Sequence, residues 1–153
     1  MYKANCIRKA KKTDIGRISE IYVFNNRIEY YPIFNNTEFS FKELQVLSYA
    51  NRFSKEMLDN TYLYDDGVIK GFILLDGEEI NKLHVDSFFQ NQGVGSLLIE
   101  YAKKKCNARF LWTLEKNERA IRFYEKHGFK QTGKKRSLER MDGSAEYCVE
   151  LSI

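Results

Sequence analysis

The chain has 153 residues, of which 43% are hydrophobic and 14% aromatic, and its formal net charge is +4. This length and composition fit one packed domain over residues 1–153 and exclude a disordered chain. No run of about 18 apolar residues is present to span a membrane, and the first residues lack the apolar segment of a signal peptide. We therefore expect a cytoplasmic protein that does not act at a membrane.

The cysteines and the charge pattern narrow the expected ligands. Cys6, Cys106 and Cys148 lie far apart, so neither a disulfide framework nor a metal site is expected. Residues 103–140 hold thirteen Lys or Arg and four Asp or Glu, a net charge of +9. This segment suits an anionic ligand, and a solvated lysine-rich surface explains the charge more simply. No nucleic-acid-binding motif is present, so no nucleic-acid partner is expected.

The first elements are a short strand and a helix. The strand is predicted over residues 5–10. Thr13 or Asp14 then caps a helix that should end near Tyr30, because Pro32 disfavours helical geometry at the residue before it.

A second helix and three strands follow an irregular aromatic connection. Ser40 and Glu43 have the spacing of a capping box and predict a helix over residues 41–58. The next strands cover residues 61–66, 68–76 and 79–85. Asp66-Gly67 predicts a hairpin turn between the first two strands.

The remaining elements alternate before a final pair of strands. They are a helix over 93–106, a strand over 109–114, a helix over 117–128, and strands over 129–138 and 145–151. Gly128 has the position of a helix-ending C′ residue. Antiparallel hairpins before a β-α-β-α unit predict an α+β fold, in which a mixed sheet carries helices on its faces and is not doubly wound.

One polar turn precedes the helix over 93–106. It consists of Gln90, Asn91, Gln92, Gly93, Val94, Gly95 and Ser96. The first N–H groups of a helix lack partners and lie at its positive end, so a phosphate binds there readily. The two glycines let a ligand approach the backbone, and Ser96 adds a hydroxyl. A tight turn packed on a strand explains the same residues, whereas a Rossmann fingerprint lacks its third glycine and a P-loop lacks Gly-Lys-Ser/Thr.

A second motif changes the interpretation of this turn. It comprises Asn117, Ala120, Phe123, Tyr124, Gly128 and Phe129. With Gln90, Gly93 and Gly95 of the turn, it resembles the GNAT superfamily of acyl-CoA-dependent N-acyltransferases. The resemblance covers roughly residues 79–151. The two motifs in this order and separation are far more specific than either alone.

The resemblance implies a fold and a cofactor. The GNAT-like fold has a mixed, mostly antiparallel sheet of about seven strands with helices on both faces. The strands over 79–85 and 109–114 would be central, parallel and splayed. The cofactor would be acetyl-CoA, with its pantetheine arm along Leu83, His84 and Val85 and its pyrophosphate on the glycine turn. Asn117 and Phe123 would contact the arm as well. Many members have glycine at the position of Asn91, and asparagine tolerates left-handed φ better than most residues.

The resemblance also implies acetyl transfer to a primary amine by direct attack in a ternary complex. Tyr124 would protonate the leaving thiolate, and the N–H of Val85 would hold the oxyanion. Glu79 is the first candidate for the general base, and His84 and Asp86 remain alternatives. No cysteine lies in an activated setting, so a covalent relay is not expected.

The acceptor is left open among a small amine, a peptide N-terminus and a lysine side chain. Aromatic residues of the predicted connection would frame an amine or simply close the core: Tyr30, Tyr31, Phe34 and Phe39. Glu29 or Glu38 would pair with a cation.

A second functional class also remains open. A non-catalytic acyl-CoA-binding regulatory or interaction module would share the glycine turn, although it would not need Tyr124. Pairing of the last strands into a homodimer is common among similar proteins, and nothing in this sequence requires it.

Overall fold

The computed structural model describes residues 3–139 and 145–153 of the chain. The strands are β1 Ile7–Lys9, β2 Thr61–Asp65, β3 Ile69–Asp76, β4 Glu79–Val85, β5 Phe110–Leu114, β6 Lys130–Glu139 and β7 Ala145–Ser152. They form a seven-stranded sheet in the order β1-β2-β3-β4-β5-β7-β6. Among these strands, β4 and β5 pair in parallel and the other neighbours pair antiparallel. The predicted mixed, mostly antiparallel sheet is therefore confirmed.

Helices cover both faces of this sheet. They are α1 Ile15–Phe34, α2 Val46–Arg52, α3 Lys55–Asp59, α4 Val94–Lys105 and α5 Glu118–Lys126. Side chains alternate along β3, so that Phe72 and Leu74 pack with the core of α1 and α2, while Ile73 and Leu75 pack with the core of α4. The two cores hold the helices at fixed positions around the centre of the sheet.

The predicted end of the first helix was wrong. The helix α1 runs through Pro32 and ends at Phe34, where Asn35 takes left-handed φ of 50° and its N–H donates to the Tyr31 carbonyl at 2.8 Å. Proline removes the hydrogen bond to the carbonyl four residues earlier. That carbonyl belongs to Ile28, whose residue is 57% exposed, so water can satisfy it.

The predicted helix over residues 41–58, with its capping box, was also wrong. A π-helical turn, Phe39–Glu43, replaces its start, and α2 and α3 are separate short helices. Leu44 and Phe53 are extended and buried in the core beneath α1, so burial of these two side chains outweighs a continuous helix. Ser54 caps α3 instead of Ser40, because its Oγ accepts from the Met57 N–H at 3.1 Å.

The first strand is shorter than predicted, because residues Ala4–Cys6 form a 3-10 turn. The elements from β2 onward agree closely with prediction. Gly67 has φ of 109° in the turn between β2 and β3, and Gly128 has φ of 89° after α5.

The parallel pair β4 and β5 is short. These strands pair only at Glu79 with Phe110 and at Ile80 with Leu111. β5 then continues beside β7 as far as Leu114, while the rest of β4 stays with β3. The predicted splay of the central strands is therefore confirmed, and it opens a wedge in the middle of the sheet.

Candidate functional site

A cleft of about 610 Å³ lies where β4 and β5 separate. It gathers residues from β4, the glycine turn, β5, α5 and α1. Predicted site residues in its lining are Leu83, His84, Val85, Gln90, Asn91, Gly93, Gly95, Ser96, Asn117, Phe123 and Tyr124. The two sequence motifs, about 30 residues apart in the chain, therefore share one cavity.

The edge of β4 offers unpaired backbone groups to this cleft. The Asp86 N–H donates to the Lys70 carbonyl on β3 at 2.9 Å. Because backbone groups alternate direction along a strand, Leu83 and Val85 direct theirs to the opposite side, into the wedge. Asn25 Nδ2 and Gln90 Nε2 both donate to the Val85 carbonyl, at 2.7 and 3.0 Å. Within the described parts of the chain, the Leu83 groups and the Val85 N–H have no strand partner on this side of β4.

The glycine turn ends in an open helix N-terminus. Asn91 and Gly93 have φ of 60° and 96°, which confirms that asparagine accepts the left-handed conformation here. The first N–H groups of α4 have no acceptor inside the helix and lie at its positive end. A Cβ on Gly95 would lie 3.4 Å from Phe123 Cζ, an ordinary van der Waals contact, so α4 packs close to α5 at this point. Gln92 and Val94 do not line the cleft, and the Val94 side chain is buried in the core.

Basic side chains of α5 add charge beside that N-terminus. Arg119, Arg122 and Lys126 line the cleft, and their i, i+3, i+7 spacing places them on one side of α5. Arg119 Nη2 also donates to Gln90 Oε1 at 3.1 Å and to Asn91 Oδ1 at 3.4 Å. The sequence reasoning missed these three residues, although the helical spacing was a usable signal.

A hydrogen-bonded array holds the serine of the turn. Ser96 Oγ lies 3.1 Å from His127 Nε2, and His127 Nδ1 lies 3.0 Å from Glu100 Oε1. Lys103 Nζ donates to Glu100 at 3.0 Å and to the His127 carbonyl at 2.7 Å. The imidazole hydrogen bond, followed by that of Lys103, lowers the pKa of Glu100. The array therefore fixes the Ser96 hydroxyl in the lining of the cleft, in the first turn of α4.

Tyr124 of α5 also lines the cleft. Asn117 caps its helix, because Asn117 Oδ1 accepts from the Ala120 N–H at 3.2 Å. The Tyr124 residue is 9% exposed, and its hydroxyl makes no hydrogen bond to another described residue. Burial first, and then the neighbouring Tyr30 and Glu29, raise the pKa of Tyr124. The phenol therefore keeps its proton and remains a hydrogen-bond donor.

The three predicted candidates for a general base lie in different settings. Glu79 pairs with Phe110 at the closed end of the wedge, does not line the cleft, and is separated from Val85 by about 20 Å of strand. Asp86 forms an ion pair with Arg17 at 2.8 Å and also lies outside the lining. Among the three, His84 alone lines the cleft.

The His84 ring is a buried, neutral imidazole. It packs between Tyr22 and Phe72 at centroid distances of 5.3 and 5.6 Å, and its Nδ1 has no partner among the described residues. Burial, with a smaller effect of Lys82, lowers the pKa of His84 to about 3. The role of base predicted for Glu79 stays a prediction.

The first helix supplies the other wall of the cleft. Glu29 and Tyr30 of α1 lie there, opposite Trp112 and Thr113 of β5. A second cleft of about 290 Å³ adjoins the first and shares Tyr30, Trp112 and Thr113 with it. Of the aromatic residues predicted to frame an amine, Tyr30, Phe34 and Phe39 line this second cleft. Tyr31 packs on Phe41 instead, at a centroid distance of 5.1 Å.

Two further features are not found among the described residues: a metal-binding cluster and a membrane-spanning helix. Within residues 3–139 and 145–153, no cluster of His, Cys, Asp and Glu is arranged to hold a metal ion. None of the helices in those ranges combines the length and apolar character needed to cross a membrane.

Known proteins share this fold and part of this sequence. Residues 58–131 match the family model of the acetyltransferase (GNAT) domain. The apo solution structure of YjaB from Escherichia coli superimposes with a TM-score of 0.73 at 24% identity, covering 95% of each chain. The PaiA N-acetyltransferase of Thermoplasma acidophilum, solved with coenzyme A, gives a TM-score of 0.65 at 19% identity, covering 96% of this chain and 98% of the other. The chain therefore has the GNAT fold, and the predicted resemblance to that superfamily is confirmed.

A curated relative has a more specific name. The peptidyl-lysine N-acetyltransferase YjaB of Salmonella typhimurium strain LT2 is 39% identical over 64 residues. The match covers 42% of this chain and 44% of the relative, so this chain matches less than half the length of that protein.

Proposed function

We propose that the chain is an N-acetyltransferase that moves the acetyl group of acetyl-CoA to a primary amine by direct attack in a ternary complex. The observation that carries this proposal is the single cleft that joins an open helix N-terminus, a free strand edge and a buried tyrosine hydroxyl. Those are the three groups needed to bind a pyrophosphate, hold an extended arm and protonate a leaving thiolate. The match of residues 58–131 to the GNAT domain supports the same activity.

Cofactor binding follows from the distribution of charge and backbone groups. The pyrophosphate of acetyl-CoA would lie on the first N–H groups of α4, near Ser96, with Arg119 and Arg122 beside it. The pantetheine arm would pair with the backbone groups of Leu83, as an added strand does at a sheet edge. The Val85 carbonyl already accepts from Asn25 and Gln90, which leaves the Val85 N–H for the thioester carbonyl. This course leads the thioester from the glycine turn toward Tyr124.

The chemistry uses groups at the Tyr124 end of the cleft. A neutral amine forms a bond from nitrogen to the thioester carbonyl carbon, and the Val85 N–H stabilises the oxyanion. The carbon–sulfur bond then breaks. Tyr124 gives its proton to the departing thiolate and recovers one from the amine nitrogen, so that the products are an amide and a thiol.

The acceptor is proposed as an amine on a small molecule or a peptide. The name of the YjaB relative supports a peptidyl lysine, whose side chain ends in a primary amine. The alternative, a non-catalytic acyl-CoA-binding module, explains the helix N-terminus equally well, although it gives no role to the Tyr124 hydroxyl.

Calorimetric titration with acetyl-CoA tests the proposal, with NADH as a phosphate-bearing control. Micromolar binding of acetyl-CoA alone is the expected result, because the strand edge recognises a pantetheine arm that NADH lacks. Equal binding of both ligands would contradict the proposal. Release of thiol with lysine-containing peptides then separates the enzyme from the binding module.

A further inference from the structure

We propose that the Glu29 carboxylate receives the acceptor amine, and that the acceptor carries this amine on an apolar stem lying in the second cleft. Glu29 would hold the arriving ammonium and then remove one proton from it. This inference rests on the proposed acetyltransferase function and names the substrate class of that site: a primary amine at the end of an unbranched aliphatic chain, as in a lysine side chain.

Glu29 is available for a ligand in a way that its neighbours in the chain are not. Glu20 pairs with Arg17 at 2.8 Å, and Glu38 pairs with Lys42 at 3.0 Å. Glu29 lines the main cleft and makes no hydrogen bond or ion pair within the described parts of the chain. A partly buried carboxylate without a partner is unfavourable in an empty site, and an ammonium would remove that penalty.

Glu29 shares the main cleft with the reacting groups, because Glu29, Tyr30 and Tyr124 all line it. Burial raises the pKa of both phenols, and the charge of Glu29 adds to that rise. An amine held by Glu29 would therefore lie in the same cleft as the residue that we assign to the leaving thiolate. Glu79, by contrast, lies at the closed end of the wedge.

The environment of Glu29 also suits proton transfer. Burial raises its pKa, against a smaller opposing effect of Arg119, and a carboxylate of raised pKa is a stronger base near neutral pH. Lys82, another cation in the lining, has its Nζ 5.2 Å from the centre of the Tyr22 ring, and burial lowers its pKa. Lys82 is therefore a weak competitor for the carboxylate.

The second cleft provides the path for the rest of the acceptor. It meets the main cleft at Tyr30, Trp112 and Thr113. Beyond them the apolar part of its lining is Phe34, Phe39, Leu114, Leu138 and Cys148. Such a lining favours methylene groups over polar ones.

The proton balance is complete with these residues. The ammonium loses one proton to Glu29, which later releases it to solvent. The neutral nitrogen bonds to the thioester carbon, the carbon–sulfur bond breaks, and a second nitrogen proton reaches the thiolate through Tyr124. No oxidant or further reactant is required.

The first experiment reports on amine binding without turnover. Trp112, the only tryptophan of the sequence, lies where the two clefts meet and provides a fluorescence signal. The protein is titrated with n-pentylamine and with 1-pentanol, which has the same chain without the charge. We expect the wild type to bind pentylamine more tightly than pentanol. Glu29→Gln should bind pentylamine at least tenfold more weakly than the wild type, whereas Glu38→Gln should bind it as the wild type does. No response to pentylamine, or equal binding by the Glu29 variant, would overturn the proposal.

The second experiment reports on proton transfer. With saturating acetyl-CoA and Nα-acetyl-lysine methylamide as acceptor, Glu29→Gln should lower kcat/KM at least about a hundredfold and abolish its rise across the acid limb of the pH profile. Glu20→Gln is the control and should stay within threefold of wild type, because Glu20 pairs with Arg17 and does not line the cleft. A Glu29→Gln enzyme within threefold of wild type, beside a hundredfold loss in Glu79→Gln, would assign the base to Glu79.

Calorimetry with acetyl-CoA separates this inference from the proposed function. Loss of cofactor binding in the wild type would reject the acetyltransferase itself. Intact cofactor binding and turnover, with Glu29→Gln indistinguishable from wild type, would reject only the role of Glu29.

Discussion

Replacing Tyr124 with phenylalanine removes one hydroxyl from the cleft and little else. The ring packs edge-on against Phe123 and Phe129, with centroids 5.3 and 5.9 Å away, and phenylalanine keeps both contacts. The hydroxyl donates to none of the described residues, so no protein hydrogen bond is lost. The free energy of unfolding should therefore change by less than about 1 kcal/mol.

The effect on catalysis should be far larger. The variant must expel a thiolate without an acid, and a positioned general acid typically contributes about 10²- to 10⁴-fold to the rate. Burial favours the protonated phenol, so the lost group is a full donor at neutral pH. We expect kcat to fall at least about a hundredfold, equivalent to about 2.7 kcal/mol of transition-state stabilisation.

The assay is thiol release at saturating acetyl-CoA with a lysine-containing peptide as acceptor. Tyr101→Phe is the matched control, because Tyr101 lies on α4 against Tyr62, with ring centroids 5.2 Å apart, and does not line the cleft. The dissociation constant for acetyl-CoA should stay within twofold in both variants. A Tyr124→Phe enzyme that keeps kcat within threefold of wild type would refute the role of the phenol.

Three further predictions concern pH, the anion-binding end and packing. The pKa of His84 is about 3 in the folded state against 6.5 ordinarily, so the unfolded state binds more protons as the pH falls from 6.5 toward 3. The free energy of unfolding, measured in urea, should therefore fall by about 2 kcal/mol between pH 7 and pH 5. His84→Gln should make this pH dependence flatter. Ser96→Ala and His127→Gln should each weaken acetyl-CoA binding in calorimetry. The double variant should lose less affinity than the sum of the two single losses, because the imidazole lies 3.1 Å from Ser96 Oγ and orients that hydroxyl. Strictly additive losses would contradict the coupling. Gly71→Ala should lower thermal stability by about 1–3 kcal/mol, because its Cβ would lie 2.9 Å from the His84 carbonyl oxygen; Gly16→Ala, which meets no atom within 4 Å, is the control and should be neutral or stabilising.

Local rules predicted the backbone geometry of the two motifs well. The cap at Asn117, the C′ glycine at Gly128 and the left-handed turn at Asn91 and Gly93 each depend on a few adjacent residues. Their geometry is therefore encoded locally and survives in the folded chain. The splay of β4 and β5 came from the family resemblance, because no local pattern in either strand specifies where its neighbour departs.

Tertiary burial overrode local rules in the first half of the chain. The proline rule ended α1 too early, because Pro32 lies where an exposed carbonyl can turn to water. The capping box at Ser40 and Glu43 is a genuine local signal, yet the buried side chains of Leu44 and Phe53 break the helix on either side of α2. Such costs depend on packing against α1 and cannot be obtained from the segment alone.

The inward-facing stripe of α1 explains why the wall that this helix supplies was the least predictable part of the cleft. Ile18 and Ile21 begin this stripe as ordinary core residues, and Asn25 and Glu29 continue it at helical spacing. The polar residues of this stripe do not pack in the core. Asn25 donates to the Val85 carbonyl on β4, and Glu29 faces the cleft without a partner among the described residues. When the inward face of a helix changes from apolar to polar, the helix loses the favourable free energy of burying apolar side chains there. The polar side chains that replace them need hydrogen-bond partners, because a buried polar group without one is unfavourable. The partner of Asn25 is the strand edge itself, and the partner that we assign to Glu29 arrives only with the amine.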